Sequence, residues 1–255
     1  MHNVLAANIR KVAIELRRYL PNTVSMIVTF YAIFFLLFLG IQVTGGPADA
    51  DASTQYLIVS MVLWFLALMA MQGIGWEITT EATRGTLEQL YMSPVPAWRI
   101  LLARMVGTIL VNLLVIGLMM LLAMLTARQW LVFDLATLVP LLLLTIVGML
   151  GVGFMVAGLA IVFKQIQALL QIAQFILFAM VAVPVGLSPY LEAAPVVRGA
   201  TMIRESMTAG TGALEFGGWA WLLLAVNSAF YFALGVLLYR RAELRAMNRG
   251  LLGQY

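Results

Sequence analysis

The stretch EITTEATRGTLEQLYMSPVPAWR, from Glu77 to Arg99, contains five charged residues and lies between two long apolar segments that are almost free of charge. The whole chain has 255 residues, of which 63% are hydrophobic and 10% are charged, and its mean hydropathy is +1.00. A soluble domain carries roughly a quarter charged residues. The composition therefore indicates an integral membrane protein, in which the charged stretch is a loop at the membrane surface.

The apolar segments on either side of this loop are long enough to cross a bilayer, which takes about 20 residues in a helix. Residues 77–99 then join the second predicted span to the third. The fourth and fifth spans are separated by a tight turn near Lys164. We predict one all-α membrane domain over residues 1–255, with spans at about 22–42, 56–76, 100–126, 136–162, 166–187 and 219–239.

The positions of the basic residues predict the orientation of these spans. An even number of spans places both termini on the same side, and cytoplasmic segments are enriched in Lys and Arg. With the termini inside, twelve of the 15 basic residues are cytoplasmic, and only Arg128, Arg198 and Arg204 lie outside. The sequence thus predicts a multi-pass protein with both termini in the cytoplasm. The net charge of +4 follows from this topology and does not call for a nucleic-acid partner.

Two further segments are predicted to be helical without spanning the membrane. In residues 1–20, apolar residues recur at helical spacing opposite four basic residues, which favours an amphipathic helix in the membrane interface over a solvated cytosolic helix. Residues 188–218 contain spaced apolar residues, two prolines and several glycines. This pattern predicts short helices that re-enter the membrane before the last span.

Several function classes are excluded or disfavoured by missing residues. There is no cysteine, and the only histidine is His2, so we predict neither a metal site nor a catalytic residue in this chain. A membrane protease that relies on a histidine base is excluded for the same reason. No Asp, Glu, Lys or Arg lies in the middle of a predicted span. A secondary transporter is therefore disfavoured, because coupling to an ion normally requires an ionisable group in the membrane.

Uncharged polar residues in the spans are candidates for a substrate path. Gln167, Gln171 and Gln174 are spaced i, i+4 and i+7, so they lie on one face of the fifth span. That face either packs against another helix through hydrogen bonds or lines a cavity or a dimer seam. Gln72 and Trp76 in the second span allow the same two interpretations, with packing favoured. In the fourth span, small residues predict a packing surface, formed by Gly148, Gly151, Gly153 and Gly158.

The charged loop itself is predicted to contain a short helix over about 87–92. Gly85 can end the preceding helix, and Thr86 followed by Gln89 has the form of a capping box. Pro96 fits the first turn of the third span. If the second span extends to Arg84, then Glu77, Glu81 and Arg84 share one face and can bond to each other or to a neighbouring helix. Such a helix either transmits force into the bundle or is only a connector.

The charged loop resembles the first cytoplasmic loop of type-2 ATP-binding-cassette (ABC) exporter permeases. The resemblance lies in the residues from Glu81 to Leu90, the Ser93-Pro94-Val95 turn and the segment from Arg99 to Arg104. The resemblance extends over the whole chain. It implies that Thr86 to Leu90 form a coupling helix bound by cytosolic ATPase subunits, two per complex, and that the end of the second span transmits the motion. The implied coupling residues are Glu77, Glu81, Arg84, Gly85, Thr86, Leu87, Glu88, Gln89 and Leu90.

The resemblance also implies a division of labour between chains. A P-loop requires Gly-Lys, but the two lysines, Lys11 and Lys164, follow Arg10 and Phe163. ATP and Mg²⁺ are therefore expected on the partner subunit, and this chain is not an enzyme by itself. We expect an exporter of a bacterial-type inner membrane that pairs with a second permease copy or a related permease. By alternating access it would move a hydrophobic or amphipathic drug, lipid or peptide outward. The alternatives are a polysaccharide exporter permease and a non-transporting membrane scaffold or assembly factor.

Overall fold

A computed structural model describes residues 20–44, 47–92, 95–163, 166–182 and 190–248. These residues form helices and the turns that connect them, with no strand among them. The α-helices are α1 (Leu20–Thr44), α2 (Pro47–Thr83), α3 (Leu87–Tyr91), α4 (Ala97–Ala127), α5 (Leu135–Phe163), α6 (Gln167–Ala182), α7 (Val197–Ala209) and α8 (Gly217–Asn248), and a 3-10 helix covers Leu191–Ala193.

Five of these helices are long and apolar enough to cross a membrane: α1, α2, α4, α5 and α8. Helix α6 is also apolar, but its described part has only 16 residues. The predicted fifth span at about 166–187 reaches into residues 183–189, which lie outside the described residues. The all-helical membrane fold is thus confirmed, while the number of six spans stays a prediction.

Two helices are longer than the sequence predicts. Helix α2 runs from Pro47 to Thr83, where a span over about 56–76 was expected, and α8 continues to Asn248 beyond the expected end at 239. Proline is favoured in the first turn of a helix, and the residues that follow Pro47 include no further glycine or proline before Gly73. The flanks of α2 at 48–55 and 77–83 and of α8 at 240–248 contain neither residue, and the flank of α8 is rich in Ala, Glu and Arg, which favour helix, so both helices continue past the expected ends.

Helix α5 is the centre of the bundle and packs along α8 and α2. The contact with α8 is very close: a Cβ atom added at Gly151 would lie 2.2 Å from the main-chain oxygen of Tyr231, and one at Gly235 would lie 2.0 Å from that of Gly151. On the α2 side, a Cβ at Gly153 would lie 2.5 Å from the oxygen of Ala70. The predicted glycine packing surface of α5 is confirmed, since only glycine permits this approach.

Helix α1 lies at the edge of the bundle against α2 and α4. Phe34 is the one buried side chain among those described in α1. Leucines of α4, including Leu114 at 75% exposed, also face outward. Such apolar surface is expected of helices that face lipid, because bilayer tails are as apolar as these side chains.

The bundle has two distinct ends. The charged end, defined by Glu77, Glu81, Arg84 and Arg104, comprises the end of α2, the loop 84–96, the start of α4 and the end of α8. The far end comprises residues 128–134 and 190–216, including the 3-10 helix and α7. The amide of Val132 bonds to the main-chain oxygen of Met207 there, at 2.9 Å. Helices are present where re-entrant helices were expected, but their membrane depth stays a prediction.

Some sequence predictions fall outside the described part of the chain. These are the interfacial helix in residues 1–20, apart from Leu20, and the tight turn at Lys164. The backbone of Leu87 and Glu88 is described as part of α3, but their side chains are not.

Candidate functional site

An ionic cluster joins α2 to α4 at the charged end. The Nη1 atom of Arg104 lies 2.6 Å from Oε1 of Glu81 and 3.1 Å from Oε2 of Glu77. Glu77 and Glu81 are one turn apart on α2, so a single guanidinium on the neighbouring helix contacts both carboxylates. The three side chains are partly buried, at 15% exposed for Glu81 and 23% for Arg104. The cluster therefore fixes the end of α2 against the start of α4.

This arrangement matches one of the two alternatives predicted for the end of α2. If the helix reached Arg84, then Glu77, Glu81 and Arg84 were expected to bond to each other or to a neighbouring helix. Helix α2 ends at Thr83, and the two acidic residues bond to a neighbouring helix through Arg104. The sequence held a signal for this partner. Arg104 is a charge inside an apolar segment, and such a charge requires a counterion nearby.

The turn that follows α2 is closed by Gly85 and Thr86. Gly85 has φ of +71°, in the left-handed region that favours glycine, and the amide of Thr86 bonds to the main-chain oxygen of Glu81 at 3.0 Å. This backbone bond is the one that closes a Schellman motif at a helix C-terminus. Gly85 thus ends α2, as predicted, and directs the chain back across the bundle.

The hydroxyl of Thr86 contributes to the same cluster. It donates to the Oε2 atom of Glu81 and also lies 3.3 Å from the main-chain oxygen of that residue. The capping box predicted that this hydroxyl would serve the helix that follows it. In the structure the hydroxyl binds back to α2, because the turn at Gly85 brings it over the Glu81 carboxylate. The start of α3 is therefore tied to the ionic cluster.

Helix α3 covers Leu87–Tyr91, close to the expected 87–92, and presents one buried and one exposed side. Leu90 is 7% exposed and packs in the core, whereas Gln89 is exposed and Met92, just after the helix, is 76% exposed. Pro96 directly precedes α4, rather than lying in its first turn as expected, and its carbonyl accepts the amide of Arg99 at 2.9 Å. The described part of the loop is thus packed on the side of Leu90 and exposed at Gln89 and Met92.

A second contact of α3 was missed by the sequence analysis. The hydroxyl groups of Tyr91 and Tyr239 lie 3.1 Å apart, which connects α3 to α8. Tyr239 is fully buried, and its ring packs edge-on against Phe154 of α5, with ring centroids 5.5 Å apart. A tyrosine in an apolar helix indicates a polar contact, because a buried hydroxyl needs a hydrogen-bond partner. The sequence alone does not identify that partner.

The substrate-path candidates lie on two neighbouring helices, α2 and α6. Trp64 Nε1 donates to the main-chain oxygen of Gln174 at 3.3 Å, which fixes the alignment of the two helices. The side chains of Gln167 and Gln171 are exposed, and those of Gln174 and Gln72 are partly buried. Trp76 is 55% exposed. The structure thus brings the two candidate groups onto one helix pair, with several of the polar side chains on its outer surface.

A buried arginine at the far end was also missed as a candidate residue. Arg204 of α7 is 3% exposed, and its Nη1 atom donates to the hydroxyl of Tyr56 at 2.6 Å. The guanidinium carbon lies 3.8 Å from the centre of the Tyr56 ring, and Nη2 donates to the main-chain oxygen of Val181. Tyr56 in turn donates to the oxygen of Ala182 at 3.0 Å. These contacts fasten α7 to α2 and to the end of α6.

Burial lowers the pKa of the Arg204 guanidinium, and the hydrogen bond with Tyr56 acts in the opposite direction. The ordinary pKa of arginine is so high that the group stays charged. Among the described residues, no three His, Cys, Asp or Glu side chains come together as a metal site requires.

The helices, the ionic cluster and the loop together define a multi-pass membrane protein. A family model described as "ABC-2 family transporter protein" matches residues 39–237, which is more than half of the chain. The chain belongs to this family, and the resemblance to type-2 ABC permeases is confirmed. The comparison with curated proteins gave no match. As a member of the ABC-2 family, the chain is the membrane subunit of an ABC transporter, a type of protein that generally pairs with a cytosolic ATPase.

Proposed function

We propose that this chain is the permease subunit of an ATP-driven exporter, in which a pair of permeases is driven by two ATPase subunits that bind at α3. The pair consists of two copies of this chain or of this chain and a related permease. It moves a hydrophobic or amphipathic substrate outward by alternating access. The observation that carries the proposal is the anchoring of α3, which is tied to α2 and α4 through Thr86 while Gln89 and Met92 remain exposed.

The exposed side of α3 supports a role as a docking surface. A helix that only connects two spans needs no contact with the ion pair between them, whereas a helix that transmits force does, because its displacement must reach the spans. Thr86 contacts Glu81, and Arg104 contacts Glu81 from the next helix. Force applied at Gln89 or Met92 would therefore move the ends of α2 and α4 together.

The distribution of charge supports an orientation with the charged end in the cytoplasm. Arg84, Arg99 and Arg104 lie at this end of the bundle, as do the basic residues of the last turns of α8. Basic residues are enriched on the cytoplasmic side of membrane proteins. An ATPase in the cytosol would then meet α3 directly.

The exposed glutamines of α6 support a second permease subunit. Gln167 and Gln171 are exposed on a helix whose other exposed residues include Ile172 and Phe175. Amide side chains are unfavourable in contact with lipid tails. This face of α6, with Gln72 and Trp76 on the adjoining α2, therefore suits the seam between two permeases or the path along it. An amphipathic substrate would find both apolar and amide groups there.

The first test is purification of the chain from its native membrane in mild detergent through an affinity tag. We expect an ATPase subunit to co-purify and the complex to hydrolyse ATP. In inside-out vesicles, ATP should drive uptake of at least one of three probes: a fluorescent amphipathic drug, a fluorescent phospholipid or an amphipathic peptide. A chain that inserts and purifies without any ATPase would contradict the proposal and favour the scaffold alternative.

The second test changes the loop helix. Replacing Glu88 with Arg reverses a charge on α3, and we expect normal insertion but loss of coupling between ATP hydrolysis and probe uptake. The matched control is Leu214→Arg, which adds the same side chain at a far-end position that is 97% exposed. Equal uptake per ATP in the parent, the control and Glu88→Arg would show that α3 is only a connector.

A further inference from the structure

Helix α3 is held at both of its ends, and the two attachments reach different parts of the bundle. At its start, Thr86 contacts the cluster of Glu81 and Arg104 on α2 and α4. At its end, Tyr91 contacts Tyr239 on α8 through a hydroxyl pair 3.1 Å apart. The resemblance to known permeases assigns a role to the end of the second span only. It says nothing about a connection to the last span.

Tyr239 lies where a displacement of its side chain would reach two helices, α8 and α5. Its side chain is fully buried, and its ring contacts Phe154 of α5 edge-on. Its backbone also lies close to α5, since a Cβ atom added at Gly158 would be 3.4 Å from Cα of Tyr239. Close-packed helix contacts of this kind transmit strain, because the interior has low compressibility. A pull on the Tyr239 hydroxyl would therefore act on α8 and α5 together.

The chemistry of the contact also favours a firm attachment. A buried tyrosine hydroxyl requires a hydrogen-bond partner, because water cannot reach it. Tyr91 supplies such a partner from α3, the helix proposed to bind the ATPase. Moving α3 away from α8 would cost the hydrogen bond of a group that is buried in the bundle. The two helices are thus coupled by more than apolar contact.

We propose that Tyr91 and Tyr239 form a second transmission route, by which displacement of α3 reaches α8 and α5 independently of the Glu81–Arg104 cluster. The inference rests on the proposed function, in that an ATPase moves α3. Both tyrosines are positioning residues, since neither has to touch the substrate or the nucleotide. The route explains how a helix at the edge of the loop could move the central helix pair as well as α2 and α4.

The contact itself is tested on the purified chain by a double-mutant cycle. Tyr91→Phe and Tyr239→Phe each remove one hydroxyl and keep the ring. We expect each to lower the midpoint of thermal unfolding, and the double variant to melt no lower than the more damaging single variant. Additive shifts would show that the two hydroxyls do not interact, which overturns the inference whether or not an ATPase binds.

The transmission is tested on the complex purified with its ATPase. Amide hydrogen exchange of the peptide 239–248 is compared between the nucleotide-free complex and the complex trapped with ATP and vanadate. In the parent we expect trapping to change the exchange rate of this peptide. The change should be lost in Tyr91→Phe and in Tyr239→Phe, while ATP still binds and the peptide that covers the end of α2 still responds.

The matched control is Tyr31→Phe. Tyr31 of α1 makes a similar hydroxyl contact, 2.7 Å from Oγ1 of Thr126 on α4, away from α3. This variant should keep the change in the peptide 239–248. The route is overturned if nucleotide trapping does not change hydrogen exchange of peptide 239–248 in the parent complex, or if the change persists in Tyr91→Phe. Either outcome leaves the proposed function intact. Absence of any co-purified ATPase would instead contradict the proposed function, and the thermal cycle would then decide whether the tyrosine contact exists.

Discussion

Two arginines, one at each end of the bundle, are stabilised in different ways. Arg104 at the charged end is 23% exposed in its side chain and is paired with two carboxylates of α2. Arg204 at the far end is 3% exposed, and its contacts include the ring and hydroxyl of Tyr56 and a main-chain oxygen of α6. Ion pairs with some access to water can be exchanged for water or other partners, whereas a guanidinium that is 3% exposed cannot leave its contacts without a large change in its surroundings.

This difference indicates which end of the molecule is built to move. At the charged end, the cluster of Glu77, Glu81 and Arg104 is partly exposed, so it can be displaced as a unit without exposing a deeply buried charge. At the far end, withdrawal of Arg204 would break its hydrogen bonds to the hydroxyl of Tyr56 and to the main-chain oxygen of Val181. We therefore regard the charged end as the movable part and the Arg204 contacts as a fixed brace.

Replacing Arg204 with Ala should have the largest effect on stability. The change breaks the buried hydrogen bonds to the Tyr56 hydroxyl and the Val181 oxygen, each worth about 1–3 kcal/mol, so the free energy of unfolding should fall by about 3 kcal/mol. Unfolding by heat or SDS in detergent measures it. The matched control is Arg198→Ala on the same helix, whose partner Glu192 is more exposed. If both variants lose the same stability, Arg204 is not a brace.

The variant Tyr56→Phe tests the same Arg204 contacts with a smaller structural change. It keeps the ring under the guanidinium but removes the hydroxyl that bonds to Arg204 and to the oxygen of Ala182. A hydrogen bond to a charged group contributes about 2 kcal/mol, and we expect a loss of that size in the free energy of unfolding. A loss as large as that of Arg204→Ala would mean that the hydroxyl, rather than the guanidinium, holds the far end together.

Glu81→Gln should have a smaller effect at the charged end. The amide keeps the shape of the side chain, but its single oxygen accepts from Thr86 or from Arg104 and not from both. The charge and one acceptor are therefore lost, at a cost of about 1 kcal/mol. Glu77→Gln is the comparison, because Glu77 lies farther from Arg104, at 3.1 Å against 2.6 Å for Glu81. Chemical unfolding of both variants should rank Glu81→Gln as the more damaging. The reverse order would place the main partner of Arg104 at Glu77.

Added salt should produce the smallest effect on melting temperature, and this effect should differ between the charged end and the far end. In about 1 M NaCl the Debye length is about 3 Å, so partly exposed charges are screened. The difference in melting temperature between the parent and Glu81→Gln should shrink, while that between the parent and Arg204→Ala should stay the same. A difference for Arg204→Ala that shrinks equally would show that water and ions reach the far-end arginine.

The sequence predicted those features for which a residue type has one dominant structural role. Apolar length predicted the positions of the helices, Gly85 predicted the end of α2, and the spaced glycines predicted the packing surface of α5. Helix boundaries were less well predicted, because no glycine or proline interrupts the polar flanks of α2 and α8. The partners of Tyr91 and Arg204 were not predictable, since each lies on a helix distant in the sequence and any of several polar residues would have served.

The backbone contact between Gly151 and Gly235 limits the motions that are open to the bundle. With no side chains between them, the backbones of α5 and α8 are in direct contact at Gly151 and Gly235. Sliding one helix along the other by a single residue would force a Cβ into the space of a carbonyl group, so we expect the two helices not to slide along each other. Tilting of α5 and α8 together remains open, so a displacement that reaches either helix would move the two as one unit.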